Sequence, residues 1–242
     1  MPNTGAVQGA FLRVVLLDTP CVVVFGGELW PLGNGVAFVE LPLREAVATY
    51  SDGWESPPNF TDLGGGPILE LMATLLPLQM PYKRQLLVGT TSGWTAIFDN
   101  SRYGGDPFSS TRIADSHRVR AVLATHAPAT QTRLPATQFH LFGPTGEPPL
   151  MYVRTIDVGV FDSGRWQFLA SGTAQPFEDL EAYGRRRVRD RFTREMLLDY
   201  LGALGIRADD PAFYTSGVLA TDTGSWSPGW TATLEDVRAA SS

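Results

Sequence analysis

Apolar and polar positions alternate in short runs along most of the chain, and each run is closed by glycine, proline or an Asp/Asn/Ser turn. That rhythm predicts strands joined by tight turns. Residues 11–17 and 21–25 are rich in β-branched side chains and split by Asp18-Thr19-Pro20, so they read as a hairpin. A third strand over 36–41 follows the turn Gly33-Asn34-Gly35. Further strands are predicted at 85–90, 94–99, 119–126, 138–142, 150–161 and 166–171. The last two are joined through Asp162-Ser163-Gly164, a strong hairpin signal.

Helices are fewer. Pro42 and Pro67 suit the first turns of helices over 43–50 and 68–76, and the second is apolar almost all round, as a buried helix is. Pro176 opens a turn of helix over 178–183. Beyond Gly184, Val188, Phe192, Met196, Tyr200 and Leu204 recur every four residues, which predicts one long helix over 185–204 capped by Gly205. Residues 51–66 and 100–116 read as loops. The fold expected is α+β: a largely antiparallel sheet packed against a long C-terminal helix and shorter helices. Residues 1–10 are expected to be flexible, 11–214 to form a single domain, and 215–242 to be a partly ordered tail with a short helix at 234–240. A division into halves near 78–83 fits the same pattern.

Composition narrows the function class. The 242 residues hold 19 basic and 25 acidic side chains, a net charge of -6. That field repels nucleic acid and favours a basic protein partner. No apolar run reaches the roughly 18 residues of a membrane span, and the opening residues lack a charged-then-apolar leader, so neither membrane nor export is expected. Cys21 is the only cysteine, which excludes an internal disulfide and fits a reducing cytoplasm. It sits in an apolar run with no cation beside it, the setting of an inert buried thiol. Lys83 is the one lysine; arginine supplies every other basic position, a bias expected of a GC-rich coding genome.

The arginines at 185, 186, 187, 189, 191 and 194 stand out, yet six acids lie between Glu178 and Asp199. A solvated helix with i,i+4 pairs such as Arg191 with Glu195 accounts for them. His117, His126 and His140 are spaced by nine and fourteen, and neither spacing is that of a metal site. The Asp99–Asp106 stretch lacks the alternating acids of a calcium loop and reads as Asx-stabilised turns. No Gly-x-Ser-x-Gly elbow, P-loop or dinucleotide fingerprint is present. No cofactor and no metal are expected. Tryptophans 94 and 166 fall in strands and read as core, whereas Trp54, Trp226 and Trp230 fall in Gly/Pro/Ser loops where an aromatic can anchor an interface.

The stretch Gly93-Trp94-Thr95-Ala96-Ile97-Phe98-Asp99-Asn100 and the late strand Trp166-Gln167-Phe168 feeding a helix, in one acidic, cysteine-poor α+β chain, resemble in general style the immunity proteins that bacteria make against their own polymorphic toxins. The resemblance implies a class, a non-catalytic inhibitor that occludes its partner's active site, and assigns no residue. Read from the loops, the expected contacts are Trp54, Arg102, Tyr103, Asp106 and Trp226. The alternative is a small-ligand-binding protein or hydrolase with a pocket formed by Asp99, Asp115, His117 and Arg118. The two separate on geometry: an enzyme needs those four side chains on one concave site, a binder needs an exposed aromatic patch. Oligomeric state is left open.

Overall fold

The strand Gly35–Val39 (β1) carries no polar side chain, and every one of its residues is buried. A strand covered on both faces requires this, because neither face meets water. The computed structural model describes residues 24, 29–52, 56–101, 104–130, 134–161, 164–224 and 227–240. After β1 come α1 (Leu43–Tyr50), β2 (Asn59–Gly65), α2 (Ile68–Ala73), β3 (Leu78–Met80), β4 (Arg84–Thr90) and β5 (Thr95–Asp99). Then follow α3 (Pro107–His117), β6 (Ala121–Ala127), β7 (Ala136–Glu147), β8 (Tyr152–Val160) and β9 (Trp166–Gly172). The chain continues through α4 (Arg194–Ala203), β10 (Tyr214–Thr221), β11 (Trp230–Ala232) and α5 (Leu234–Ala239).

Among the described residues nine strands form one sheet in the order β2-β10-β4-β5-β1-β6-β7-β8-β9, and every neighbouring pair is antiparallel. The strands β3 and β11 pair separately. Side-chain alternation then sorts the core onto two faces. Val36 and Phe38 of β1 join Phe98, Phe139, Leu197, Tyr200 and Phe213 on one side. Ala37 and Val39 join Ile97, Leu123, Phe142, Tyr50 and Ile113 on the other, beneath α1 and α3.

The α+β class and the antiparallel sheet stand as read from the pattern. The long C-terminal helix does not form. Residues 185–193 instead run through a short 3-10 turn at Val188–Asp190, just after another at Ala182–Gly184, and α4 begins only at Arg194. Thr193 caps it, accepting from the Met196 N–H at 3.4 Å. Upstream, arginine side chains hold the irregular backbone: Arg185 Nη1 donates to the Asp190 carbonyl and Arg191 Nε to the Arg185 carbonyl, both at 2.9 Å. Arg191 also lies over the Phe168 ring rather than beside Glu195. Val188 and Phe192 keep a four-residue spacing without lying on one α-helix: Val188 opens the half-exposed 3-10 turn, and Phe192 is buried just before α4.

Four further segments differ from the pattern. Residues 59–65 of the expected loop make the edge strand β2, and 107–117 of the other expected loop make α3. The segment 178–183, expected as a helix, makes only turns leading into the 3-10 turn at Ala182–Gly184, and the Glu178 carboxylate accepts from Arg154 on β8. Residues set off as a tail supply β10, which lies between β2 and β4. Of the hairpin expected over 11–25, only Val24 is described; it is buried in the core.

Candidate functional site

Every described residue of the expected contact set and of the alternative pocket lies on or against α3. The helix starts where Asp106 accepts the Phe108 N–H with Oδ1 at 2.9 Å and Pro107 takes the first position, which needs no donor. The Asp106 Oδ2 accepts from Tyr82 Oη at 2.5 Å, and the Asp106 N–H donates to Asp99 Oδ2 at 2.9 Å. Asp99 also accepts from the Ser101 N–H at 2.8 Å, an Asx turn. Its carboxyl is held above the usual carboxylate range by complete burial, against hydrogen bonds from Ser101 and the Asp106 N–H, with the Asp106 charge adding to the rise. Gly104 and Gly105 lie against β1: a Cβ on Gly35 would sit 2.9 Å from the Gly104 carbonyl oxygen. Gly104 and Gly105 both take positive φ there, at 69° and 73°.

Beneath the helix, Ser109 Oγ donates to Gln85 Oε1 at 2.8 Å, and Tyr50 Oη donates to the same oxygen. Burial pushes the Tyr50 and Tyr82 phenols up, so both stay protonated donors. Arg112 reaches back to the carbonyls of Tyr50 and Asp52 and ties α3 to the end of α1. At the foot, His117 Nε2 meets Thr49 Oγ1 at 2.6 Å, and Thr49 Oγ1 donates onward to the Glu45 carbonyl. The imidazole is therefore the donor. Arg118 ends the helix in the left-handed region at φ 55°.

These positions decide the pocket. Asp99 stands at the head of α3 and Asp115, His117 and Arg118 at its foot, ten residues of helix apart, or about 15 Å at 1.5 Å per residue. The four side chains do not share one site. Of the loop contacts, Asp106 is the cap just described, while Trp54, Arg102, Tyr103 and Trp226 lie outside the described residues, as does Cys21. Among the described residues no three His, Cys, Asp or Glu side chains gather as a metal site. The other histidines are held by cross-strand register: His126 Nδ1 meets Thr137 Oγ1 at 3.0 Å, and His140 Nε2 meets Asp157 at 2.8 Å. Burial and the charge of Arg194 lower the His126 pKa.

The outward side of α3 holds what the sequence did not announce. Phe108 is 57% exposed, and Leu150, on the turn between β7 and β8, is 38% exposed. A cleft of about 170 Å³ runs between helix and turn, lined by Phe108, Thr111, Arg112, Asp115, Leu150 and Met151. A second of about 100 Å³ adjoins it, sharing Thr111, Asp115 and Met151 and reaching Arg118. Phe108, Arg112 and Asp115 follow the i, i+4, i+7 spacing of one helix face. The signal was present as Asp-Pro-Phe, an N-cap, a first-turn proline and an apolar residue, and was hidden by the buried serines 109 and 110. Trp166, read as core, is 38% exposed, and Trp230, read as a loop residue, lies in β11 opposite Met80 and packs against the core. Comparisons of the chain with protein-family models, with curated proteins and with solved structures find no match.

Proposed function

We propose that the protein is a non-catalytic binding module of the cytoplasm, an inhibitor of the immunity type, which lays α3 and the β7–β8 turn over the active site of a basic partner protein. The observation that carries this reading is Phe108, a large aromatic more than half exposed on a helix that is pinned at both ends. Exposed aromatics on rigid supports are the anchors from which protein interfaces draw most of their affinity. Leu150 extends the apolar centre, and Arg112, Asp115 and the exposed Asp52 supply a charged rim. The net charge of -6 steers a basic partner and makes the association salt-sensitive. No described helix is long and apolar enough to cross a membrane.

The test is parallel affinity capture from the native host's lysate with immobilised wild-type chain and Phe108→Ala, eluted with rising salt and read by mass spectrometry. The reading expects one basic protein on the wild type, released at moderate salt and missing from the variant. Equal retention by the variant, or no partner for a folded and monodisperse sample, overturns it.

A further inference from the structure

Among the described residues, β2 and β9 are the two edges of the nine-stranded sheet, and they are built differently. β2 is blunted: Asp62 lies within it, Gly64 takes φ 66°, and its pairing with β10 is broken by a register shift at Gly217/Val218. Charges and bulges of this kind keep an edge from pairing with another chain. β9 carries no charge and no register shift, and its one positive-φ glycine, Gly172 at 83°, stands at its very end. Trp166-Gln167-Phe168-Leu169-Ala170-Ser171-Gly172 contains no charge and no proline, and it pairs residue for residue with β8 over its whole length. Its Leu169 is 55% exposed. We propose that β9 joins the β9 of a second copy of this chain, antiparallel about a two-fold axis at Leu169, and so continues the sheet across a homodimer.

The hydrogen-bonding phase of β9 permits that axis. The Thr173 N–H donates to the Val153 carbonyl at 3.0 Å, and the Val160 N–H turns the other way, to the Pro135 carbonyl beside β7. By alternation, Leu169 spends its N–H and C=O on β8, whereas Phe168 and Ala170 aim theirs outward. Pairing about Leu169 sets Phe168 opposite the Ala170 of the other copy as a hydrogen-bonded pair, and Leu169 opposite its own copy as a non-hydrogen-bonded pair, where side chains approach closest. The strand is also self-complementary in size: Gln167 meets Ser171, Phe168 meets Ala170, Trp166 meets Gly172, each large residue facing a small one. No like charges meet, since the strand carries none. A single seven-residue edge gives an interface below about 1,200 Å², so the dimer is reversible. The last strand that α3 covers is β7, two strands away, so its exposed face stays free for another partner.

Sedimentation velocity over a concentration series of the full chain tests the association. Ala170→Pro removes an outward N–H without touching the β8 ladder, a position where an edge strand tolerates proline. It is expected to weaken the dimer at least about tenfold, the loss of a pair of backbone hydrogen bonds. Register is read separately by crosslinking in a Cys21→Ser background. Leu169→Cys is expected to give an intermolecular disulfide on mild oxidation, because Cα atoms at such a pair stand about 4.5 Å apart. Gln167→Cys alone is not, and Gln167→Cys mixed with Ser171→Cys is. A wild type that stays monomeric at every concentration, a dimer indifferent to a folded Ala170→Pro, or equal crosslinking through position 167 alone overturns the proposal.

Discussion

Asn100 holds the end of β5 to the segment before β4, and replacing it should cost more than any other surface-free polar change in this region. Its side chain is fully buried and all of its hydrogen-bonding capacity is used. Oδ1 accepts from the N–H groups of Lys83 and Arg84 at 2.9 and 3.0 Å, and Nδ2 donates to the Pro77 carbonyl at 2.8 Å and to Gln79 Oε1 at 3.0 Å. Its own backbone adds two bonds, to the Arg84 carbonyl and from the Gln79 N–H. Asn100→Ala keeps the backbone bonds and strands two N–H donors and two acceptors in the interior. With roughly 1 to 3 kcal/mol for each group left unsatisfied and some relaxation toward water, the loss should total about 3 to 5 kcal/mol. For a chain of this size, that lowers Tm by roughly 8 to 15 °C. Asn100→Asp should be worse, because it turns the Nδ2 donor into an acceptor facing the Pro77 carbonyl and Gln79 Oε1 and buries a charge. Urea unfolding followed by circular dichroism gives the number, provided the slope is unchanged. A cost below about 1 kcal/mol for Asn100→Ala would refute the assignment of this network as a structural pin.

Three other outcomes are expected. Glu178 has a fully buried side chain and accepts from Arg154 Nε and Nη2, from Tyr183 Oη and from the Gln175 N–H; Glu178→Ala should cost about 3 to 5 kcal/mol in urea unfolding by leaving Arg154 buried and unpaired, and Arg154→Met/Glu178→Leu together should recover much of it. Because burial raises the Asp99 pKa, the folded chain keeps that proton after the unfolded chain has released it. Its contribution to stability is therefore present at acid pH and lost as pH rises through the folded value; wild-type stability minus that of Asp99→Asn should fall on going from acid to neutral pH, and a rise would contradict the assignment. Phe108→Ala, at a position more than half exposed, should change unfolding free energy by no more than about 0.5 kcal/mol while abolishing capture of the partner.

How much was legible follows from where each signal comes from. The helix over 43–50 and the strands over 85–90, 94–99 and 166–171 were visible because turn residues bound them and side chains of one polarity repeat within them. α3 was not, since its buried face carries Ser109 and Ser110, whose polarity is tolerated only because Gln85 and its neighbours sit below. The stripe at 188–204 misled for the opposite reason. Phe192 is fully buried and Val188 half-buried, and neither requires that the backbone between them be α-helical.

By itself the sequence determined the class: an α+β chain, mostly antiparallel, acidic, with one cysteine, whose local turns and apolar runs set most strands. Those properties are local, carried by residues within a few positions of one another. The tertiary structure alone decided the rest. It chose the strand order that seats β10 between β2 and β4, turned a polar loop into a helix, and divided Asp99 from Asp115, His117 and Arg118 along that helix. It also left β9 at the edge of the sheet among the described residues and Phe108 facing water. Each of these depends on which distant segments pack together, and contacts between residues far apart in the chain leave no periodic trace in it.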